Sequence, residues 1–182
     1  MGTCFHSSCH WKQQAKTDTF TGRKKPEYQG GFLLDGGVHF VAGLRLLLGA
    51  AGDEVKDVVC FADLLLERLG PVDTVHAVAT TASGASGTIV MSFGTEHKSG
   101  LEIEVVTTNG TVTWNPREVV VAKSGKKFES DSGVKSEVAA FGKSLADEKP
   151  DPLQTPEEAF ADLQMLEGLL ESKGRLRTSI ED

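Results

Sequence analysis

The apolar positions between Gly30 and about Leu48 recur with the spacing of an α-helix. They cover a wide arc of that helix: Leu33, Leu34, Phe40, Val41, Leu44 and Leu47. The remaining stripe holds small residues, one acid and one imidazole: Gly31, Asp35, His39 and Ala42. The pattern therefore predicts a helix that is apolar on nearly all of its surface.

After this helix the sequence changes to short segments rich in Val, Thr, Ile and Phe, which are typical of strands. Six are predicted: Val72–Thr81, Gly87–Phe93, Leu101–Val105, Thr111–Trp114, Glu118–Ala122 and Lys126–Glu129. Asn109-Gly110 tolerates the positive φ angles of a type I′ turn and predicts a hairpin. The stretch Val55–Leu69 fits either a strand or a helix, and we interpret it as a turn, a short strand and a connector.

Two more helices are predicted at the end of the chain. The first has four apolar residues at helical spacing: Val134, Val138, Phe141 and Leu145. The second begins with Thr155 as N-cap, Pro156 at the first position and Glu158 completing a capping box, and it ends at Gly174. Its predicted apolar stripe is Phe160, Leu163, Leu166 and Leu170. The fold class is α+β: an open, mostly antiparallel sheet of about six strands, packed with the glycine-rich helix and two C-terminal helices.

An antiparallel sheet often leaves one face uncovered, and an uncovered apolar face invites a partner such as a second copy of the chain. The candidates for such faces are Val75, Ala77, Ala79, Ile89, Met91 and Phe93. One hypothesis for the chain is accordingly a non-catalytic oligomerisation or interaction module.

The chain has 182 residues, which suits one domain. We divide it into an irregular N-terminal tail, residues 1–20, and a folded domain, residues 21–182. A formal net charge of −7 argues against nucleic acid or an anionic membrane as partners, and no apolar run approaches the roughly 20 residues of a membrane span. Three cysteines and no visible secretory signal lead us to expect a cytoplasmic setting. No metal is expected, because the possible ligands near the N-terminus lack the paired spacing of a zinc site: Cys4, His6, Cys9 and His10.

The candidate chemistry lies in the glycine-rich helix. Asp35 and His39 are four residues apart, so their side chains share one helical face. There a carboxylate can orient an imidazole that moves a proton on or off a substrate hydroxyl. The glycines cost a helix roughly 1 kcal/mol each, which the close approach of a ligand or another backbone at Gly36 and Gly37 would offset. Two structural alternatives remain open, since an aspartate near a helix start also balances the dipole and a histidine among apolar residues also serves as a packed core residue.

The segment GGFLLDGGVHFVAGLR, residues 30–45, resembles the G-G-x-x-x-D-x-G-x-H helix that opens the C-terminal domain of the Gfo/Idh/MocA oxidoreductases. Three later segments resemble that family in the same order: SGASGTIVMSFG its small-residue strand pair, LEIEVVTTNGTVTW its hairpin, and TPEEAFADLQMLEGLLESKGR its closing helix. The similarity covers about Arg23 to Arg177, and its lead-in RKKPEYQ is closest to a fungal branch of NADP-dependent enzymes. Residues 1–20 resemble no part of the family.

The resemblance implies a two-domain enzyme in which an N-terminal Rossmann domain binds NAD or NADP. The C-terminal domain lines the site of a small-molecule substrate and usually forms the oligomer interface. The motif's substrate-binding and proton-relaying roles fall on Asp35 and His39. Its pocket-shaping glycines correspond to Gly30, Gly31 and Gly37, and Arg23 corresponds to a lead-in arginine that points at substrate or cofactor phosphate.

Two departures from the family limit what the resemblance implies. The sequence contains no Rossmann half, so the cofactor site should lie on a domain absent from this chain and the chain alone should be inactive. The family's catalytic lysine belongs to a Glu-Lys-Pro motif in that half, whereas Glu148-Lys149-Pro150 stands before the closing helix. Lys149 is interpreted as a solvated turn residue. The hypothesis set against the interaction module is therefore the substrate domain of an NAD(P)-dependent oxidoreductase acting on a sugar, polyol or similar small hydroxy or carbonyl compound.

Overall fold

The structure of the chain is a computed structural model that describes residues 4–10, 31–122, 126–129 and 133–178. Nine strands lie in these ranges: β1 Cys4–His10, β2 Val55–Asp63, β3 Thr74–Thr81, β4 Ser86–Ser92, β5 Gly100–Thr107, β6 Gly110–Asn115, β7 Glu118–Val121, β8 Lys126–Glu129 and β9 Arg177–Thr178. The helices of the same ranges are α1 Gly31–Ala50, α2 Val134–Ala146 and α3 Pro156–Ser172. A short 3-10 turn, Glu67–Leu69, follows β2.

All strands belong to one open sheet with the order β8-β7-β6-β5-β1-β4-β3-β2-β9. Every neighbouring pair is antiparallel except β1 and β4, which run parallel. The predicted α+β class with an open, mostly antiparallel sheet is confirmed. The expected number of about six strands is too low, because β2 is a full strand and because β1 and β9 were not anticipated.

The predicted irregular tail is wrong for residues 4–10, which form a central strand between β4 and β5. Phe5 pairs with Gly87 and is buried, and a Cβ at Gly87 would overlap Phe5. The glycine in β4 therefore admits the bulky residue of β1. The sequence CFHSSCH has mostly polar or small side chains, so its strand conformation comes from its two neighbours rather than from its own pattern.

The predicted hairpin between β5 and β6 is confirmed, but its turn is displaced by one residue. Thr107 pairs with Gly110, so the two linking residues are Thr108 and Asn109. Neither has a positive φ, so the turn is not type I′, and Gly110 has φ 144°. The Thr107 hydroxyl holds the turn instead: it accepts from the Asn109 backbone N–H at 3.1 Å and donates to the Gly110 carbonyl at 3.1 Å.

Helices α1 and α3 cover one face of the sheet, which we call the inner face. The buried side of α1 is Leu33, Gly37, Val41, Leu44 and Leu48, and α3 contributes Met165, Leu166 and Leu169. The strand residues proposed for an uncovered face lie under these helices and are buried: Val75, Ala77, Ala79, Ile89, Met91 and Phe93. That prediction was wrong because the alternation placed them correctly on one face but could not say which face the helices cover.

The outer face is opposite and carries the alternate residues of each strand. The side chain of Phe61 is 68% exposed and that of Val78 is 58% exposed. They are accompanied by polar groups, such as His6, whose Nδ1 lies 2.6 Å from the Thr88 hydroxyl oxygen. The outer face is therefore amphipathic, with its largest exposed apolar side chains on β2 and β3.

The two C-terminal helices behave differently from one another. The Thr155 hydroxyl accepts the Glu158 backbone N–H at 3.3 Å, which confirms the N-cap of α3, and α3 ends before Lys173 and Gly174, both with positive φ. The buried stripe of α3 is rotated from the predicted one, so that Phe160 is 61% exposed. Helix α2 forms where predicted, but none of its residues is buried. Its expected packing against the sheet is therefore wrong.

One helix in the described part of the chain, α1, is long and apolar enough to cross a membrane, with mean hydropathy 1.4 in its most apolar window. Length and composition alone do not separate a membrane span from a core helix. The fully buried Leu33, Leu44 and Leu48 pack in the core, which accounts for the apolar character of α1.

Candidate functional site

The predicted acid–base residues lie in the second and third turns of α1. Asp35 and His39 are one turn apart, and both side chains are exposed. The buried residues Leu33 and Gly37 lie on the other side of the same turns. The arrangement leaves a carboxylate and an imidazole accessible to a ligand, so His39 is not a packed core residue.

The start of α1 approaches the loop before β3 very closely. Gly31 has φ 51°, and a Cβ placed on it would lie 2.8 Å from both the Gly70 carbonyl oxygen and Pro71 Cδ. A side chain at this position would meet backbone that cannot move aside. The structure therefore gives Gly31 a packing role at the helix start, in addition to any role in a pocket.

An aromatic cluster fixes the rotation of the first three turns of α1. The ring of Phe93 lies edge-on to Phe32, with centroids 5.1 Å apart, and 6.1 Å from Phe40. A Cβ at Gly36 would lie 2.9 Å from two atoms of the Phe93 ring. Gly36 thus admits the ring against the helix backbone, and the ring position in turn sets the direction in which Asp35 and His39 point.

The expected pocket-floor role does not fit Gly37. This residue is buried, and a Cβ on it would lie 3.5 Å from Leu166 of α3 and 3.5 Å from Met91 of β4. It therefore belongs to the packed side of α1, between helix and sheet. The other two residues that the resemblance assigned to substrate, Arg23 and Gly30, lie outside the described residues.

A buried carboxylate that the sequence analysis missed organises the loop beside Gly31. Asp73 has no exposed surface and accepts the backbone N–H groups of Leu65 and Leu66 at 3.0 and 2.8 Å and the Thr74 hydroxyl at 2.8 Å. A Cβ at Gly94 would overlap the same carboxylate. Asp73 therefore supports the loop against which the start of α1 packs. Its only signal in the sequence is an acid between the apolar Val72 and a strand.

A groove of about 760 Å³ separates the C-terminal half of α1 from α3. At its wall, Arg45 Nη1 lies 2.6 Å from Asp162 Oδ1 and 3.1 Å from Glu158 Oε2, and it donates to the Glu158 carbonyl at 3.2 Å. Partial burial alone would lower the pKa of Arg45, but the hydrogen bond and charge of Asp162, with Glu158, outweigh it and raise that pKa. The arginine is thus a permanently charged tie between the two helices. The Glu158 carboxylate that the capping box would use lies against Arg45.

The loop after α1 is tied to the hairpin between β3 and β4 by Asp53. Its carboxylate accepts the Ser83 hydroxyl at 2.6 Å and the backbone N–H groups of Ser83 and Glu54 at 3.1 and 3.0 Å. Partial burial would raise the pKa of Asp53, but these hydrogen bonds, with one from Thr81, lower it below its ordinary value. The Asp53 carboxylate at this end of the groove therefore serves to hold the loop and the hairpin together.

Two further residues with reactive side chains, Cys60 and Lys149, lie away from Asp35 and His39. Cys60 is fully buried, and burial raises its pKa to about 11 despite a hydrogen bond from the His76 backbone. Lys149 is exposed in the connection between α2 and α3, as expected for a solvated turn residue. In the part of the chain that the structure describes, no three histidine, cysteine or acidic side chains are grouped to hold a metal ion.

The described residues do not fit a dinucleotide cofactor by themselves. A dinucleotide site needs a parallel strand–helix–strand unit whose glycine-rich turn opens the helix at the phosphates. Within the described ranges, the parallel pair β1 and β4 is separated by α1, β2 and β3 rather than joined by one such crossover. The exposed pair Asp35 and His39 can meet a small substrate, but the described residues offer no comparable cradle for a pyrophosphate.

The chain is similar to one known protein family and to known dehydrogenases and oxidoreductases. The model of the GFO/IDH/MocA C-terminal domain matches residues 1–113, including residues 1–20, which were expected to resemble no part of the family. The dehydrogenase FPY6 of Fusarium mangiferae is 48% identical over 159 residues, which are 82% of this chain and 46% of that protein. The chain spans about half the length of the curated relatives it matches.

Two solved structures share the fold. An oxidoreductase from Thermotoga maritima has a TM-score of 0.80 at 24% identity, covering 96% of this chain and 53% of its own. Levoglucosan dehydrogenase in complex with NADH and L-sorbose has a TM-score of 0.79 at 15% identity, covering 97% of this chain and 58% of its own. At these identities the likeness concerns the fold.

Proposed function

Because this chain belongs to the GFO/IDH/MocA oxidoreductase family and corresponds to its C-terminal domain, we propose that it is the substrate domain of an NAD(P)-dependent dehydrogenase or reductase. The observation that carries the proposal is the placement of Asp35 and His39 together on the accessible side of α1. Asp35 and His39 are the catalytic pair in this proposal. The fixed rotation of that helix, from Phe93 against Gly36, supports a defined direction for both side chains.

In this proposal His39 takes the proton of a substrate hydroxyl in the oxidative direction and returns it in the reductive direction. Asp35, one turn earlier, orients the imidazole and stabilises its protonated form. NAD or NADP, bound mainly by a domain outside this chain, supplies or accepts the hydride at the carbon that bears the oxygen. The chain alone therefore lacks half of the reaction and is expected to be inactive.

The substrate class is a sugar, a polyol or a similar small hydroxy or carbonyl compound. The support is the family's motif and the sugar held by one structural relative, levoglucosan dehydrogenase with L-sorbose. A secondary alcohol next to further hydroxyl groups suits a site whose two side chains both make hydrogen bonds.

The experiment combines this chain with the separately purified nucleotide-binding part of the Fusarium mangiferae dehydrogenase and follows NADH and NADPH with a panel of sugars and polyols. We expect turnover only with both components. Asp35→Asn and His39→Asn should each lower kcat about a hundredfold or more, the usual effect of losing a general acid–base group. Leu46→Gln is the matched control, because Leu46 is exposed on α1 two turns beyond His39.

Three results would contradict this proposal: unchanged turnover of both variants, turnover or micromolar NADH binding by the chain alone, and no turnover in any combination. The folded state of each variant is checked by its unfolding midpoint. Since Asp35 and His39 are exposed, neither substitution should shift that midpoint by more than surface substitutions do.

A second role is proposed for the outer face of the sheet, as a contact between copies of this chain. The observation that favours it is the exposure of Phe61 and Val78 on neighbouring strands of a face that none of the described helices covers. The same contact also tests the alternative of a non-catalytic oligomerisation module. Such a module would need the outer face for its function but would not need Asp35 or His39.

A further inference from the structure

Helix α2 has an apolar stripe that the described residues of the domain leave largely exposed. Val134, Val138, Phe141 and Leu145 recur at spacings of four, three and four residues, so they share one side of the helix. Each of the four is 58–65% exposed. We refer to these four residues as the α2 stripe.

The α2 stripe is unusual because helices of this length depend on packing. An isolated helix shorter than about 12–15 residues is marginal in water, and α2 has 13 residues, none of them buried. Within the described residues, polar contacts lie at its two ends: Gln154 Nε2 donates to the Glu137 carbonyl at 3.0 Å near the start of α2, and Lys143 pairs with Asp147 at its end. Exposed ion pairs of this kind contribute little. A partner for the apolar side is therefore expected.

We propose that the α2 stripe is a docking surface for a nucleotide-binding domain, the half of its relatives that this chain does not span. The inference rests on the proposed function, in which the chain works with such a domain. Relatives of about twice this length match the chain over nearly all of its described fold, and one of them is solved with NADH. A two-domain enzyme must cover some surface of its substrate domain, and α2 offers an apolar strip without an intramolecular partner in the described structure.

A second copy of this chain is the competing occupant. Stable interfaces bury roughly 800 Å² on each partner. A symmetric pair of 13-residue helices, each about 20 Å long, offers much less than that through four side chains. A larger domain can cover the stripe together with the loops around it, which favours the nucleotide-binding domain.

The test uses the whole chain and, as probe, the nucleotide-binding part of the Fusarium mangiferae dehydrogenase, accepted only if it binds NADH by fluorescence. Hydrogen exchange should be fast in residues 134–146 of the free chain and slower in the mixture, because docking buries the helix. Val138→Asp and Phe141→Asp should each weaken binding at least about tenfold. Ser136→Asp is the matched control, since Ser136 lies on the opposite side of α2 and the substitution adds the same charge.

Because the α2 stripe is exposed, the aspartate variants should keep the wild-type unfolding midpoint of the free chain, so that lost binding is not lost folding. Unchanged binding by both stripe variants, or no binding of the wild-type chain to a probe that binds NADH, would overturn the proposal. Self-association that the stripe variants abolish would also overturn it, by placing a second copy there. Stripe-dependent binding with turnover unaffected by Asp35→Asn and His39→Asn would leave the docking surface standing and remove the proposed function.

Discussion

Adjacent glycines in α1 meet different surroundings, and this difference separates a required glycine from a tolerated one. A methyl group at Gly36 would lie 2.9 Å from the buried ring of Phe93, which Phe32 and Phe40 confine. A methyl group at Gly37 would lie 3.5 Å from its nearest neighbours, an ordinary van der Waals distance. Alanine is better than glycine in a helix by about 1 kcal/mol, and overpacking a core costs about 1–3 kcal/mol.

Gly36→Ala should therefore destabilise the chain by up to about 2 kcal/mol, whereas Gly37→Ala should be neutral or stabilising by up to about 1 kcal/mol. Urea unfolding of the two variants beside the wild type measures both effects. A Gly36→Ala variant as stable as Gly37→Ala would mean that Phe93 moves freely, and that it does not set the rotation of the helix that carries Asp35 and His39.

The buried thiol of Cys60 should make the stability of the folded chain depend on pH. Its pKa is raised to about 11 in the folded chain, while an unfolded cysteine ionises near about 8.5. Between these values the unfolded state releases a proton that the folded state keeps, so the free energy of unfolding falls as the pH rises from about 9 to 11, by at most about 3 kcal/mol. The stability contribution is fully present below the unfolded value.

The measurement compares the wild type with Cys60→Ala in urea at several pH values. The alanine variant has its own cavity cost, so only the slopes are compared, and the wild type should lose more stability than the variant over this range. Equal pH dependence of stability in the wild type and in Cys60→Ala would show that burial does not keep the thiol protonated. Cys4 is exposed and should react with a thiol reagent in the folded chain much faster than Cys60.

The residues of the candidate site were predictable to the extent that their partners are close in sequence. The spacing of Asp35 and His39 placed them on one side of a helix. What holds that helix lies far along the chain: Phe93 against Gly36, the loop at Gly70 against Gly31, and Asp73 beneath that loop. No periodicity of the sequence reveals such contacts, which is why the glycines were assigned to a pocket and Asp73 was missed.

At the scale of elements, α1 and α3 are joined by a charged tie as well as by apolar packing. The side chains of Arg45 and Asp162 are only 19% and 12% exposed, so removing one partner leaves a poorly hydrated charge. Asp162→Asn should destabilise the chain by about 2 kcal/mol, less than for a fully buried pair because Glu158 still contacts Arg45. Thermal unfolding measures the loss.

The matched comparison for that variant is Asp147→Asn. Asp147 pairs with Lys143 four residues away on α2, where both side chains are at least half exposed. Such a pair contributes about 0–1 kcal/mol, so this variant should unfold close to the wild type. Equal losses for Asp147→Asn and Asp162→Asn would show that the tie between α1 and α3 is an ordinary surface pair.

Elements with a strong local signal were predicted well, and the exceptions share a cause. The helices and the six predicted strands were found from periodicity, β-propensity and caps, all of which act within a few residues. β1 has no such signal, because its conformation depends on pairing with β4 and β5, which lie more than 70 residues away. The orientation of the α2 stripe was missed for the same reason, since helical spacing identifies an apolar side but not what covers it.

At the scale of the whole molecule, the outer face has the dimensions of an interface. Nine strands spaced about 4.8 Å apart and about 20 Å long give a face on the order of 800 Å², the area that each partner buries in a standard protein–protein contact. The face combines exposed Phe61 and Val78 with hydroxyl and imidazole groups, as interfaces between folded subunits do. Among the described elements, α1 and α3 cover the inner face and none covers the outer face, so a second copy would contact the outer face.

Val78→Lys should shift the chain toward monomers in sedimentation equilibrium, because Val78 is 58% exposed in the middle of β3 and pairs with Val59 and Thr88. Two such lysines on opposed faces would bring like charges together in a desolvated contact. Leu46→Lys introduces the same charge at a 52% exposed apolar position on α1, on the other side of the sheet, and should leave the oligomeric state unchanged. A wild-type chain that is monomeric at high concentration would contradict the contact between copies. A dimer that Val78→Lys leaves intact while Leu46→Lys dissociates it would place that contact at the helices instead of the sheet.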